Sequence, residues 1–391
     1  MPWKERSVMM QRREFVALAE KGTIPMRQLC ARFGISPDTG YRLLERFQAD
    51  GEAGLSDQSR RPQRSPNRCA AAVEAAVLEV RRQHPAWGGR KIARVLHARG
   101  QLQVPSPSTI TEILRRHGAL FAGGAVPHPP WQRFARAYPN ELWQMDFKGH
   151  FALRNGARCH PLTVLDDCSR FNLLLRACPN EERETVQTAL IPAFERYGLP
   201  DSLLTDNASP WGYDGAHPYT RLSLWLLRLG VQILHGRPYH PQTQGKEERF
   251  HRSLQLEVLR DRSFSDLSDT QRAFDDWRLT YNHERPHEAL ELSTPASRFG
   301  PSARPYPAVL PPVEYPPGTL LRRPNDHGDL RLHRRAYRLG RAFCGQTVGL
   351  QPTATDGLWD VYFSRFRLAR LDEHQGLLIP PHRLDRSPPH A

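Results

Sequence analysis

Residues 142–151 have the sequence LWQMDFKGHF, in which apolar and polar side chains alternate. Side chains of a strand point alternately to its two faces, so this pattern predicts a strand with one apolar face and with Asp146 on the other. Two further apolar stretches, CHPLTVLDD (159–167) and RFNLLLRAC (170–178), predict strands that follow through hairpins. The sequence therefore predicts a meander of three strands.

A helix, a strand, a second helix and a second strand follow the meander. Apolar residues recur at helical spacing in residues 180–198 and again around 219–229, while SLLTD (202–206) and VQILH (231–235) are short apolar strands. This order of elements predicts an α/β domain with a mixed sheet over residues 138–300.

Three acidic residues are candidates for metal ligands. Asp146 lies in the first strand, Asp206 ends a later strand, and Glu248 lies in a helix opened by RPYHPQTQGKEERFH (237–251). Carboxylates at strand ends of an α/β sheet point into the crevice where ligands bind. Hard divalent cations need such oxygen ligands, and a pair of them can activate a nucleophile and stabilise the leaving oxygen of a phosphodiester.

The N-terminal region is predicted to form two all-α helix-turn-helix domains, residues 1–55 and 69–125. In the first, Ser36 is a candidate N-cap and Pro37 a first-turn residue after a tight turn, which is the outline of a helix-turn-helix unit. Short three-helix units also serve as plain interaction modules. The basic segment 56–68 is predicted to be a linker that lies along phosphates.

Segments rich in proline separate the remaining domains. Residues 126–137 are predicted to be a linker, and residues 301–317, which hold seven prolines, a semi-rigid linker. Short strand patterns in residues 318–375 predict a small β-barrel. Residues 376–391 are predicted to be a disordered tail.

The net charge of +14 is unevenly distributed. Lys and Arg number 23 against 11 Asp and Glu in residues 1–137, 19 against 22 in 138–300, and 13 against 8 in 301–391. Basic flanks around an acidic centre favour an enzyme whose outer domains bind nucleic-acid phosphates, although uneven surface charge alone is the alternative. The N-terminal residues predicted to contact DNA are Arg42, Arg46, Arg60, Arg61, Arg64, Arg90, Lys91, Arg115 and Arg116.

The cysteines indicate the compartment. The six cysteines are scattered and form no C-x-x-C pair, which predicts a reduced, cytosolic chain without a zinc cluster. The sequence shows no apolar signal region and no continuous apolar stretch of about 18 residues. We expect a protein that is neither exported nor anchored in a membrane.

Three motifs in this order, WQMDF (143–147), TDNA (205–208) and YHPQTQGKEERFH (239–251), resemble the signature blocks of the integrase core of bacterial insertion-sequence transposases and retroviral integrases. YNHERPHEAL (281–290) resembles the segment that closes that core. The flanking domains are similar to the end-binding and C-terminal domains of the same transposases. The resemblance implies a ribonuclease-H-like fold and DNA strand transfer with two magnesium ions, for which manganese is a possible substitute.

The resemblance also implies that Asp146, Asp206 and Glu248 are the catalytic metal ligands, because relatives carry the catalytic Glu three residues after a glycine, here Gly245. Helix geometry agrees with this choice. At 100° per residue, Glu247 projects near the apolar stripe of its helix and Glu248 projects away from it.

One departure from the family concerns the same helix. Relatives usually carry a basic residue seven positions after the catalytic Glu, where it contacts the DNA end, and here that residue is Gln255. Arg252 lies one turn from Glu248 and could substitute for it. Lys246, Arg252 and Gln255 complete the predicted DNA contacts.

Histidines near the proposed site suggest zinc as an alternative metal. The spacing of His235, His240 and His251 fits no H-x-x-x-H helix pair, so zinc ligation by them is not expected. Asp166 and Asp167 lie between predicted strands and are interpreted as turn residues rather than ligands.

The leading hypothesis is an enzyme that binds double-stranded DNA at transposon ends, nicks it and joins the freed 3′-hydroxyls to target DNA. Because two ends must be held together, we expect a homo-oligomer on DNA, in the bacterial cytoplasm and nucleoid-associated when bound. A catalytically silent integrase-like DNA-binding regulator and a hydrolytic nuclease without joining activity are the alternatives. The three carboxylates favour the enzyme over the regulator, and the tandem helix-turn-helix units favour end recognition over the nuclease.

Overall fold

The computed structural model describes residues 7–57, 69–120, 135–206, 209–212, 219–235 and 245–380. The chain divides into two compact units, residues 1–68 and 69–391. Among the described residues, no helix is long and apolar enough to cross a membrane.

The first unit is a three-helix bundle. Its helices are α1 (Val8–Glu20), α2 (Met26–Phe33) and α3 (Pro37–Asp50). Gly34 takes the left-handed conformation that ends α2 (φ 67°), and the Ser36 hydroxyl then caps α3 by accepting the Thr39 amide at 3.2 Å. Phe15 and Leu29 are buried in the bundle core. The predicted helix-turn-helix unit is confirmed.

A second three-helix bundle begins the second unit. Its helices are α4 (Ala71–Gln83), α5 (Gly89–Ala98) and α6 (Pro107–Arg116). Trp87 and Ile92 are buried at its centre. α5 and α6 touch backbone to backbone, because a Cβ on Gly89 would collide with the carbonyl oxygen of Pro107. The predicted second helical unit is therefore also present.

A mixed six-stranded sheet forms the centre of the second unit. Its strands are β1 (Leu142–Phe147), β2 (Phe151–Ala152), β3 (Arg158–Asp166), β4 (Asn172–Cys178), β5 (Ser202–Thr205) and β6 (Gln232–His235). The spatial order is β4, β3, β1, β5, β6, and β2 continues β1 along β3. β3 runs antiparallel to β1 and β4, whereas β5 runs parallel to β1 and β6. This is the arrangement expected of a ribonuclease-H-like core.

Helices cover both faces of the sheet. They are α7 (Arg183–Tyr197), α8 (Arg221–Arg228), α9 (Gly245–Leu254) and α10 (Leu267–Leu279). α7 and α8 pack on the face that carries Trp143 and Val164. α9 and α10 pack on the opposite face, against Leu165 and Leu175. Both α9 and α10 end in a π-helical turn, Gln255–Leu259 and Thr280–Glu284.

Residues 301–317 contain no helix or strand, as expected of a linker, but they lie against the core. The Arg304 guanidinium donates to the carbonyl oxygens of Pro200, Leu229 and Gly230. Tyr306 packs on the hydrophobic core of the sheet. The linker is thus fixed along the sheet rather than free in solution.

The C-terminal region is all-β. Its strands are β7 (Leu320–Arg322), β8 (Asp329–Leu332), β9 (Arg335–Arg338), β10 (Val348–Pro352), β11 (Leu358–Phe363), β12 (Phe366–Asp372) and β13 (Leu377–Ile379). A five-stranded sheet, in the order β13, β12, β11, β10, β7, and the β8–β9 hairpin enclose one apolar core, which Leu224 and Leu227 of α8 join. The predicted tail from residue 376 begins too early, because β13 pairs with β12. Residues 381–391 lie outside the described residues.

Candidate active site

Two of the three predicted acids lie on neighbouring parallel strands. β1 pairs with β5 so that Gln144 lies beside Leu204. Continuing this register by two residues brings Asp146 beside Asp206, on the same face of the sheet. The side chain of Asp146 is 24% exposed, and Asp206 is half-buried. The alternation that predicted β1 therefore also positions both aspartates at one edge of the crevice.

The third acid lies on α9, where the adjacent residues Glu247 and Glu248 have opposite environments. Glu247 is 1% exposed, whereas Glu248 is exposed to solvent. Phe250 and Leu254 lie buried on the inner face of the same helix. The structure thus agrees with the helix geometry that directed Glu247 inwards and Glu248 outwards.

A buried polar cluster centred on Thr163 contacts the backbone of Asp146. The Thr163 hydroxyl on β3 lies 2.9 Å from the carbonyl oxygen of Asp146, 3.0 Å from Oε2 of Glu247 and 2.9 Å from Nε2 of His251. Nδ1 of His251 is 3.9 Å from the Asp146 carboxylate. Sequence reasoning missed Thr163, because its partners are 17, 84 and 88 residues away along the chain.

The electrostatics of the site follow from converging acids in a partly buried crevice. Burial, followed by the charge of Asp206, raises the pKa of Asp146 to about 7, and Glu248 acts in the same direction. Burial and the charge of Asp146 raise the pKa of Glu247 well above its ordinary value. Burial lowers the pKa of His251 to about 4. Burial therefore favours the neutral forms of both Glu247 and His251 in the Thr163 cluster.

The charge and donor set of the crevice fit divalent cations. Asp146, Asp206 and Glu248 offer only carboxylate oxygens, which magnesium prefers. Their mutual repulsion, visible in the raised pKa of Asp146, is the kind that a cation relieves. Among the described residues, however, no three His, Cys, Asp or Glu side chains are grouped closely enough to hold one metal ion. The charges of Asp206 and Glu248 act on Asp146, but in this structure the three carboxylates do not form a ligand shell.

The histidines do not form a metal site. Nδ1 of His235 lies 3.0 Å from the carbonyl oxygen of Asp206, so this histidine braces the end of β5. His251 belongs to the Thr163 cluster, and His240 lies outside the described residues. The partners of His235 and His251 in this structure are a backbone carbonyl and the Thr163 cluster.

Lys246 has a partner that the sequence did not indicate. Its ammonium forms an ion pair with the carboxylate of Asp167, which is fully buried, and the Lys246 side chain is only 17% exposed. Gln144 also donates to Asp167, at 2.6 Å. The Lys246 cation thus has an internal partner, and its predicted DNA contact remains a prediction. Asp166 accepts the Ser169 hydroxyl at 2.6 Å, as expected of a turn residue.

Gln255 also has an unforeseen partner. The Lys148 ammonium, in the loop after β1, donates a hydrogen bond of 2.7 Å to Oε1 of Gln255. The Lys148 ammonium thus lies beside position 255, where α9 is followed by an amide side chain instead of a basic one. Arg252 is exposed on α9, and its proposed DNA contact remains a prediction.

Two residues of the second bundle that were predicted to bind DNA are half-buried. Burial, followed by the charge of Arg285, lowers the pKa of Lys91 to about 8. Arg116 forms a 2.6 Å ion pair with buried Glu74 and ties α6 to α4. The phosphate contacts of Lys91 and Arg116 remain predictions.

The other predicted DNA contacts remain predictions. Arg42 and Arg115 are exposed and pair with acids on their own helices, whereas Arg46 donates to the carbonyl oxygen of Ser56. Arg90 is 69% exposed and lies 3.6 Å from Glu288 of the core. The predicted contacts in the basic linker, Arg60, Arg61 and Arg64, lie outside the described residues.

Family descriptions match successive parts of the chain. "Helix-turn-helix domain" matches residues 11–63, "Homeodomain-like domain" residues 39–114, "Integrase core domain" residues 136–241 and again 229–295, and "IS481 family transposase, C-terminal domain" residues 321–376. These matches confirm the fold class expected for each region.

Similar proteins come from bacterial insertion elements. The chain is 26% identical over 252 residues to the uncharacterized 39.2 kDa protein of insertion element IS476 from Xanthomonas euvesicatoria, covering 62% of this chain and 69% of the relative. It is 28% identical over 158 residues to the uncharacterized 31.7 kDa protein of insertion element IS407 from Burkholderia multivorans, covering 40% of this chain and 54% of the relative. The chain thus spans little more than half of the second relative.

Among solved structures, the fold is similar to a chain in the simian T-cell lymphotropic virus intasome in complex with the PP2A regulatory subunit B56 gamma. The identity is 17% and the TM-score 0.37, over 74% of this chain and 96% of that chain. The sequence matches associate this chain with DNA integration and transposition in general. An integrase core followed by an IS481-type transposase C-terminal domain, together with relatives from insertion elements, makes the chain similar to bacterial insertion-sequence transposases.

Proposed function

We propose that the protein is a transposase that binds the double-stranded DNA of transposon ends, cleaves a strand there and joins the freed end to target DNA. The observation that carries the proposal is the placement of Asp146 beside Asp206 at neighbouring strand ends, within electrostatic reach of Glu248. Asp146 lies beside Asp206, and the charges of both Asp206 and Glu248 act on it. Acids that repel one another in this way would cost stability without a cationic ligand.

Asp146, Asp206 and Glu248 would hold divalent ions, two magnesium ions with manganese as a possible substitute. When bound to such oxygens, a pair of divalent ions activates an attacking hydroxyl and stabilises the leaving oxygen. The protein's own contribution is positional. Hydrogen bonds to the backbone carbonyls of Asp146 and Asp206, from Thr163 and from His235, fix the strand ends that carry the two aspartates.

The flanking domains would supply affinity for DNA. The helix-turn-helix unit places exposed Tyr41 and Arg42 on α3, its second helix after the tight turn, which is the helix that enters a major groove in such units. Two ends must be held together during joining, so we expect a homo-oligomer on DNA, associated with the bacterial nucleoid.

The test uses the full chain with duplexes from the inverted repeats that flank its coding region. The parent should nick and join these ends with magnesium, whereas Asp146→Asn and Asp206→Asn should bind the same ends and do neither. Binding by the parent without cleavage, in magnesium and in manganese, would instead identify a silent regulator. Cleavage without joining would identify a nuclease.

A further inference from the structure

A small cavity with basic walls follows the end of β1 that carries Asp146. It lies between the β1–β2 connection and the end of α9, and its volume is about 210 Å³. The lining side chains relevant here are Lys148, His150, Gln255, Arg262, Ser263 and Phe264. None of the lining residues is acidic.

The two cations of this cavity, Lys148 and Arg262, differ in their partners. Lys148 donates to the neutral amide oxygen of Gln255 at 2.7 Å, and among the described residues no carboxylate lies within ion-pair distance of it. Arg262 lies over the ring of Phe264, 4.9 Å from its centroid, and forms a long ion pair of 3.8 Å with Asp269 that leaves its side chain 52% exposed. An amide orients a cation but leaves its charge uncompensated, so the cavity favours an anionic ligand.

The position of the cavity identifies the anion. Lys148 follows Asp146 by two residues, and Gln255 follows Glu248 by seven residues along the same helix. Seven residues span about 10 Å of helix axis, which is about three base-pair steps of duplex DNA. A strand whose reacting bond lies at the acids would therefore bring a neighbouring phosphate to the cavity.

We propose that Lys148 and Arg262 bind a backbone phosphate of the DNA strand close to the reacting bond, and that Gln255 is a positioning residue that orients the Lys148 ammonium. The proposal rests on the proposed function, since the acids fix where the strand lies. It also explains why an amide at position 255 is compatible with DNA binding: the cation reaches the site from the loop after β1.

The experiment measures binding of the flanking end duplex across several salt concentrations, in the full chain carrying Asp146→Asn so that no chemistry occurs. Lys148→Met should weaken binding about tenfold and reduce the salt slope by about one unit. Lys148→Arg, which keeps the charge, should retain the slope. Arg196→Met removes a cation from α7 on the opposite face of the sheet and serves as the matched control.

A double-mutant cycle tests the role of Gln255. Gln255→Met should weaken binding about threefold without changing the salt slope, and it should have no further effect in the Lys148→Met background. Ethylation of single phosphates should identify one position, within about three nucleotides of the cleavage site, that matters to the parent and not to Lys148→Met. Thermal melting of every variant establishes that it is folded.

The outcomes separate this proposal from the proposed function. An unchanged salt slope in Lys148→Met, or an equal effect of Gln255→Met in both backgrounds, would overturn the phosphate site even if the parent cleaves and joins DNA. If the acids prove dispensable while Lys148→Met flattens the slope, the catalytic proposal fails and the phosphate site stands. If the parent binds no DNA at low salt, both the phosphate site and the proposed function are wrong.

Discussion

Glu247 and Glu248 are neighbours in sequence, yet Oε2 of Glu247 lies 3.0 Å from the buried Thr163 hydroxyl while Glu248 is exposed to solvent. The two carboxylates therefore differ in protonation as well as in direction. Burial favours the neutral form of Glu247, whose pKa is raised well above its ordinary value. This contrast separates a structural acid from a candidate catalytic one.

We predict that Glu248→Gln lowers cleavage and joining by more than about a hundredfold, with end binding retained, whereas Glu247→Gln keeps both. The amide of Gln resembles the protonated acid that the buried site already favours. Strand-transfer assays on one end duplex compare the two variants directly. Loss of joining in Glu247→Gln alone would move the catalytic assignment by one residue.

Glu247→Gln should also raise the melting temperature at neutral pH. A carboxyl whose folded pKa is raised contributes stability at low pH and loses it as the pH rises through that pKa. The amide has no such loss, so the advantage of the variant should grow with pH. A constant difference between the melting temperatures of variant and parent from pH 5 to pH 8 would contradict a neutral Glu247.

Lys91 gives a second pH-dependent prediction, of opposite sign. Its folded pKa is about 8 against an ordinary 10.5, because burial disfavours the ammonium. The parent therefore gains stability as the pH rises from 8 towards 10.5, where the unfolded chain binds more protons than the folded one. Lys91→Met should raise the melting temperature by about 2 °C at pH 7, and this difference should shrink by pH 10. A difference that persists would mean that Lys91 is not buried as a cation.

Metal binding should be detectable as a change in the melting temperature, without an activity assay. Magnesium should raise the melting temperature of the parent, because an ion that binds only the folded state stabilises it. Asp146→Asn should abolish this rise, and Glu247→Gln should keep it. An equal rise in all three proteins would place the ion elsewhere.

The first unit should bind DNA by itself, since residues 1–68 form a separate compact unit. A fragment of these residues should bind the end duplex with strong salt dependence. Arg42→Met on α3 should weaken binding about tenfold. Arg13→Met on α1 removes the same charge from another helix and should have little effect. Equal losses would indicate that α3 is not the helix that contacts DNA.

The sequence predicted most of the fold because its apolar residues recur clearly at the spacing of strands or of helices. Alternation marked β1, helical spacing marked α3 and α7, and capping residues such as Ser36 marked helix starts. The inward direction of Glu247 also followed from helix geometry alone. These are local properties, which a single sequence carries.

The side-chain partners could not be predicted, because they depend on tertiary contacts. Lys246 meets Asp167 across 79 residues, and Lys148 meets Gln255 across 107. An exposed arginine and an arginine in a buried ion pair look the same in sequence, so the pair between Arg116 and Glu74 was not predicted. The motifs located the site, but only the packing showed which of its charged residues are buried in structural contacts and which are exposed.

Gln255→Glu should weaken DNA binding without loss of stability. The new carboxylate has the shape of the amide, and it would accept the Lys148 ammonium as an ion pair, which at such a half-exposed site adds between zero and about 1 kcal/mol to folding. The same pair neutralises the cation that we assign to a DNA phosphate and places a negative charge beside it. Binding should fall, and the salt slope should flatten by about one unit.

Gln375→Glu, in the turn between β12 and β13, changes the net charge of the protein by the same amount and is the matched control. Titration of the end duplex at several salt concentrations, together with melting curves, compares the two variants with the parent. Weaker binding in Gln255→Glu alone, at an unchanged or higher melting temperature, is the expected result. Equal effects of the two substitutions would show that only net charge matters, and that the Lys148 ammonium does not reach DNA.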